Sequence, residues 1–444
     1  MEELLHYIWK HKILPLHELR TNQGRVVEVL NPGFHNTNAG PDFTGAKIKI
    51  DGTVWAGNVE IHVRTSDWFR HHHDKDENYD NIILHVVSVI DQPLYYPNGQ
   101  EIPQLQIDVP QYIRDNYSEL RTNDINPRCR NVVSTLPTLL IHNWLTSLTL
   151  ERFEQRTQQI MQRRDQLDKN WEDTLFVTLA RNFGFGINGD AFEQWAQSIP
   201  MNAVAKHRDN LFQIEAIFFG QAGLLDIPDN QEKTAYPAHF HKLAKEYQYL
   251  RQKFSLTPMD SSAWKFLRLR PQNFPHIRIA QLAMIYYEQR LNLSKLINAE
   301  TTDEVYGLLL THVSDFWKTH YSFTSEASRS SEKHLSQSSL NLIIINTVAP
   351  ILFAYGKYKS DNELCQKAFD LWQDVKPEQN YITRQWEAAG VTCQNAGDSQ
   401  ALIQLTNRYC KSRDCLRCQF GYEYIRRTPG LLREEDYSRS EILK

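Results

Sequence analysis

From Arg25 to about Val109 apolar and polar residues alternate in short runs, and beyond about Pro137 apolar residues recur every three or four positions over long ones. The first texture is that of strands, whose side chains switch faces at each residue, and the second that of helices with 3.6 residues per turn. Residues 26–30, 43–50, 54–63 and 81–90 read as strands bounded by Gly, Asn and Asp turns. A short amphipathic helix over 2–11 precedes them. Ser66-Asp67-Trp68 reads as the cap of a helix joining the third strand to the fourth, so the predicted order is α-β-β-β-α-β. Residues 139–162, 236–254 and 277–296 carry the helical period, no fixed-length repeat is visible, and 110–137 reads as the linker. The expected fold class is α+β, with a sheet-bearing domain over residues 1–115 and a large all-α domain over 116–444.

Composition narrows the function classes. With 444 residues, 41% of them hydrophobic, the chain can bury two or three cores without disulfide staples. A net charge of -4 excludes a wholly basic coat protein, so a nucleic-acid site must be a patch. The first residues, Met1-Glu2-Glu3, are acidic where a secretory leader is basic, and no export signal is expected. The longest apolar run, 342–354, contains Asn346 and Pro350 and is shorter than the roughly 20 residues of a bilayer span. It reads as a buried helix, and no membrane partner is expected. Six cysteines are too sparse for a secreted disulfide framework, which makes a reducing cytoplasm the expected location.

Nine of the 17 histidines lie within the first 85 residues, which points to chemistry in the sheet region. Taken singly, His71 to His73 read as a solvated helix face and His85, between Leu84 and Val86, as a satisfied core residue. The most informative stretch is a carboxylate hairpin. Asp42, after Pro41, opens one strand, and alternation sets Asn58, Glu60 and His62 on one face of the next. Pairing that keeps residue numbers summing to 103 places Asp42 opposite Ile61, on the wrong face, whereas a sum of 104 turns it toward His62. A three-residue turn at Asp51-Gly52-Thr53, or a bulge at Gly57, would supply the extra residue. Two carboxylates held together repel unless a cation lies between them, and hard oxygen ligands suit Mg²⁺ or Mn²⁺. Such an ion polarises a phosphoryl oxygen and acidifies a bound water, with His62 placed to hold the nucleophile.

With Pro41-Asp42 and Glu60-Ile61-His62 in this order of elements, the first 90 to 110 residues resemble the PD-(D/E)XK nuclease superfamily. The resemblance implies a restriction-endonuclease-like core, metal binding by Asp42 and Glu60, and a catalytic set of Asp42, Glu60 and His62. His62 stands where that family has lysine and lacks its fixed positive charge. His71 and His73 are secondary candidates, because the helix after the third strand packs beside such a site. Over nearly its full length the chain also resembles a bacterial family known as a domain of unknown function. That resemblance rests on Asn38-Ala39-Gly40-Pro41-Asp42-Phe43, Val59-Glu60-Ile61-His62, Ser66-Asp67-Trp68, Ile83-Leu84-His85-Val86-Val87, Arg270-Pro271-Gln272-Asn273-Phe274-Pro275 and the terminal cysteines.

Near the end, Cys410, Cys415 and Cys418 form C-x4-C-x2-C. Three thiolates at this spacing can share one Zn²⁺ or an iron–sulfur cluster, and a fourth ligand is expected from Cys129 or Cys393. Two basic segments carry phosphate-binding residue types: Arg408, Lys411, Arg413, Arg417, Arg426 and Arg427, and Lys265, Arg268, Arg270 and Arg278 among aromatics. The expected function is therefore a metal-dependent nuclease hydrolysing phosphodiester bonds of DNA or RNA. The alternative is a catalytically inactive nucleic-acid or protein interaction module on a nuclease-like core. A zinc hydrolase built on the histidine-rich segment is a third reading, against which no H-E-x-x-H occurs.

Overall fold

Asp51 and Gly52, with φ of 46° and 85°, close the tightest turn of the sheet and join two of its long strands. Positive φ at both central residues gives the turn the twist that strand pairing needs, and Gly takes that conformation without strain. The computed structural model describes all residues except 15–16, 37, 228–231, 233–234, 328 and 428–444. They form two compact units. The first comprises Met1–Thr135 with the segment from Arg408 onward, and the second Leu136–Asn407. The expected boundary at 115/116 therefore moves to 135/136, and the terminal cysteine segment belongs to the sheet unit instead of the helical one.

In the sheet unit, α1 (Glu2–Lys10) leads into β1 (Leu19–Arg20), β2 (Val26–Asn31), β3 (Phe34–His35), β4 (Phe43–Ile50) and β5 (Thr53–Arg64). Then follow α2 (Asp67–Arg70), β6 (Ile82–Val89), β7 (Gln104–Gln106), α3 (Gln111–Thr122) and α4 (Arg130–Val133). With the two-residue strands β1 and β3 set aside, the elements from α1 to β6 run α-β-β-β-α-β, the second helix being the four-residue α2, and β7, α3 and α4 follow. The sheet runs β1-β2-β4-β5-β6-β7, with β3 beside β4; β2, β4 and β5 are antiparallel, and β6 lies parallel to β5. Every residue of β6 from Ile82 to Val87 is buried, which explains why apolar residues flank His85 on both sides in place of alternation. α1 lies against β5 and buries Leu4, Leu5, Ile8 and Trp9. The segment expected as a linker is instead α3 and α4. Asn116 of α3 donates from Nδ2 to the carbonyls of Tyr424, Ile425 and Arg427, satisfying the open end of the last described helix, Gln419–Arg426.

The helical unit is built around stacked aromatics, among them Phe153 with its ring centroid 3.8 Å from Trp372 and 4.7 Å from Phe353. The apolar run near Pro350 lies in a longer helix than expected, Gln337–Lys359, which by length and composition reaches what a bilayer span needs. It is mostly buried, with Ile343, Ile344, Val348, Ile351 and Leu352 fully inside the unit's core. The helix widens to a π turn over Ile344–Val348, which makes room ahead of a proline that has no N–H to give. In the basic stretch 264–278, Trp264 is buried with Nε1 on the Ala222 carbonyl, and Arg278 is buried over the Phe185 ring. Those two residues are core, and neither offers a surface to phosphate.

Candidate functional site

The register at the carboxylate hairpin is set by a bulge, on the strand opposite the expected one. At the turn, Ile50 faces Thr53 and the pairs sum to 103; beyond Ala46–Gly57 the register shifts, and Phe43 faces Val59. Thr44 and Gly45 there oppose the single residue Asn58, Gly45 takes φ 67°, and the Asn58 side chain accepts the Gly45 N–H at 3.4 Å. The sum falls to 102 instead of rising to 104, so Asp42 comes directly opposite Glu60. Gly57 serves another purpose: a Cβ there would lie 2.4 Å from Ile83 Cγ2, so its glycine lets β6 approach. The two carboxylates lock crosswise. The Asp42 N–H donates to Glu60 Oε2 at 3.0 Å, and the Ile61 N–H donates to Asp42 Oδ2 at 3.0 Å.

Around Glu60, 4% exposed, the structure gathers imidazoles. Its Oε1 lies 3.6 Å from His62 Nε2 and 3.3 Å from His73 Nε2. His62 Nε2 is also 3.1 Å from His71 Nδ1, and one ring nitrogen from each of His62, His71 and His73 lies within 4.8 Å of the other two. His72, with φ 63°, turns the backbone between His71 and His73. His73 is stacked 3.9 Å from the Tyr79 ring, which fixes its plane. Behind them His62 Nδ1 meets His85 Nε2 at 2.8 Å. On the other side His6 of α1 places Nε2 3.1 Å from Asp42 Oδ2. His71, His73 and His85, ordinary when read singly, therefore share one site with Asp42, Glu60 and His62.

Burial governs the charges. It pushes the Glu60 carboxyl up, with the Asp42 charge adding to the rise and His73 opposing it. It lowers His62 to about 2, helped by His85, His73 and His71, and lowers His85 to about 3. Both rings are thus neutral across the physiological range. Burial also lowers His6, but the hydrogen bond and charge of Asp42 outweigh it and leave that imidazole raised. Neutral nitrogens beside a buried carboxylate form a donor set suited to a divalent transition ion, and the His85 contact supplies the outer partner that a ligating histidine needs.

Sequence comparison gives the site its relatives. The chain belongs to the DUF2851 family of proteins of unknown function. The match spans residues 2–381, which includes the whole hairpin and histidine group and ends before Cys393. No curated protein and no solved structure matches the chain.

In this DUF2851 member a cleft of about 700 Å³ opens beside His6, lined by α1, α3, His35 and the loop Ser412–Arg417. Lys10, Arg121, Arg413 and Arg417 outnumber Glu3 and Asp414 in its lining, with Arg417 3.6 Å from Asp414, and Tyr7 and Tyr117 add rings. Sequence reading singled out Arg413 and Arg417 but not Lys10, Arg121, His6 or His35. The histidine count of the first 85 residues was the available signal for His6 and His35. Cys129, Cys410, Cys415 and Cys418 lie together in the sheet unit, each within electrostatic reach of others of the set. Cys393 lies in the helical unit, where burial with Asp398 and Glu387 pushes its thiol up to about 12.

Proposed function

We propose that the chain is a metal-dependent phosphodiesterase acting on DNA or RNA, its divalent ion held by Asp42 and Glu60 with ring nitrogens of His62, His71 and His73. The position of Glu60 carries the reading: one carboxylate oxygen faces His62 and His73, and the other takes the N–H of Asp42. The order α-β-β-β-α-β, with both carboxylates on adjacent strands, supports a PD-(D/E)XK-like core beneath the site. The imidazoles favour Mn²⁺ or Zn²⁺ over Mg²⁺, which prefers oxygen ligands alone. When bound, the ion supplies a polarised phosphoryl oxygen and a water of lowered pKa.

The protein's own groups divide the remaining work. His62 is buried and neutral, so it acts as a ligand and cannot replace the fixed charge of a lysine. His6, whose proton Asp42 stabilises, faces the cleft and supplies that charge beside the scissile phosphate. Lys10, Arg121, Arg413 and Arg417 hold flanking phosphates, and Tyr117 offers a face for an unpaired base.

The test is incubation of the purified chain with single-stranded, duplex and branched DNA and RNA in Mg²⁺, Mn²⁺ or Zn²⁺, beside Asp42→Ala. Cleavage that needs the metal and disappears in Asp42→Ala is expected. Binding without cleavage under every condition would replace the hydrolase with the inactive interaction module. Neither binding nor cleavage would remove nucleic acid as the substrate.

A further inference from the structure

Two segments far apart in the chain meet at the end of the sheet unit. Arg128, buried, donates from Nη1 to the Cys410 carbonyl at 2.6 Å across 282 positions of sequence, and from Nε to the Asn123 carbonyl. The next residue, Cys129, precedes α4, and α4 packs against the helix Gln419–Arg426 that Cys418 precedes. The Cys418 N–H donates to the Cys415 carbonyl at 3.3 Å, closing a single turn between those two cysteines. Gly421 completes the fit: a Cβ there would stand 2.1 Å from the Cys415 carbonyl oxygen, so only glycine lets the helix lie this close. Cys129 and Cys418 are 7% exposed, and Cys410 and Cys415 are half-buried.

We propose that Cys129, Cys410, Cys415 and Cys418 form a four-thiolate metal centre that fastens the loop Ser412–Arg417 as a wall of the basic cleft. The proposal does not rest on the hydrolase reading. Its ligand chemistry is that of a soft centre, a zinc ion or an iron–sulfur cluster, because thiolate sulfur selects these over hard ions. Four thiolates around Zn²⁺ leave a net charge of -2, and the cations needed beside it are present. The charge of Arg128 acts on Cys410 and Cys415, and that of Arg413 on Cys415. The thiols of Cys129, Cys410 and Cys415 are instead pushed up by burial and, for Cys129 and Cys410, by their sulfur neighbours, which a shared cation would reverse. Among the described residues, the groups that act on Cys365 and Cys393 are Lys357 and Asp361, and Asp398 and Glu387. The cleft wall follows from chain geometry: Arg413 and Arg417 sit between the second, third and fourth cysteines, and Arg413 also donates to the Arg121 carbonyl at 2.6 Å.

The experiment uses the full chain purified without oxygen, with elemental analysis for zinc and iron, acid-labile sulfide and a visible spectrum. About one zinc per chain, or iron with matching sulfide and a visible charge-transfer band, is expected, and the two results distinguish the centres. Cys129→Ser and Cys415→Ser should lose most of the metal while Cys393→Ser keeps it. Should the serine variants fail to fold, native protein answers instead: a chelator, or reductive bleaching of a cluster, must speed alkylation of these four thiols and leave Cys393 unchanged. Wild-type chain holding less than about a tenth of an equivalent of zinc and iron, with four thiols alkylated at a chelator-independent rate, overturns the proposal. Metal retained in both Cys129→Ser and Cys415→Ser overturns it as well.

Discussion

His62 presents Nδ1 to Nε2 of His85 at 2.8 Å, and the remaining ring nitrogen of His85 is buried without a hydrogen-bonding partner. One proton lies between the two rings. If His62 donates it, His62 Nε2 keeps its lone pair pointed toward Glu60 and His71, the tautomer that a metal ligand requires. Removing the acceptor should therefore weaken metal binding without touching a ligand. His85→Phe is expected to lower Mn²⁺ or Zn²⁺ affinity by about 10–100-fold, whereas His85→Gln, which retains an acceptor oxygen, should lose less. Calorimetric titration measures both, and equal affinities in wild type and His85→Phe would exclude this role.

Glu60 is buried and its carboxyl is pushed up, so an uncharged isostere costs the metal-free fold little or nothing. Glu60→Gln should match or exceed wild type in thermal stability without metal. It should also lose the stabilisation that saturating metal confers, about 2.7 kcal/mol at 100 times Kd. A variant that melts earlier in metal-free buffer, yet is stabilised by Mn²⁺ as fully as wild type, would show Glu60 to be structural only.

Gly45 holds the left-handed conformation of the bulge, and a Cβ there would meet only Phe34, at 3.9 Å. The cost of Gly45→Ala is thus backbone strain, about 1–2 kcal/mol. Relief by returning the hairpin to its unbulged register would bring Asp42 opposite Ile61 and separate it from Glu60. Denaturant unfolding should show that loss of stability, accompanied by weaker metal binding.

In the helical unit, burial raises Glu215 to about 7, and its Oε1 accepts a hydrogen bond from Ser314 Oγ at 2.7 Å. An acid raised above its ordinary 4.5 binds more protons folded than unfolded. Its contribution is therefore fully present below about pH 4.5 and is lost as pH rises toward 7, where ionising it costs a few kcal/mol. Melting temperatures of Glu215→Gln and wild type should diverge as pH rises from 5 to 8, with the variant higher at pH 8. Parallel curves would show that Glu215 ionises freely.

Local pattern made part of this legible. Alternation alone sets Glu60 and His62 on one face of β5, and Asp51-Gly52 marks the turn. The bulge was foreseeable as a need for one residue, but its strand was not, because Gly45 and Gly57 are equally permissive until β6 occupies the space beside Gly57. His6 and His85 were illegible as site residues, since an amphipathic helix and a buried strand give no sign of what their polar members meet across 36 and 23 positions. The change of texture near Pro137 does coincide with the unit boundary at 135/136, whereas the chain's return at Arg408 leaves no mark in composition.

That return imposes an order on synthesis. Cys129 leaves the ribosome some 280 residues before Cys410, which at about 5–20 residues per second is roughly 15 to 60 seconds. Through that interval the nascent sheet unit lacks Asn116's carbonyl partners and three of its four clustered thiols, while all of Leu136–Asn407 emerges. The intervening unit can be complete before the first one is. A stop codon directly after residue 407 would thus spare the later-begun unit and leave the earlier-begun one unfinished.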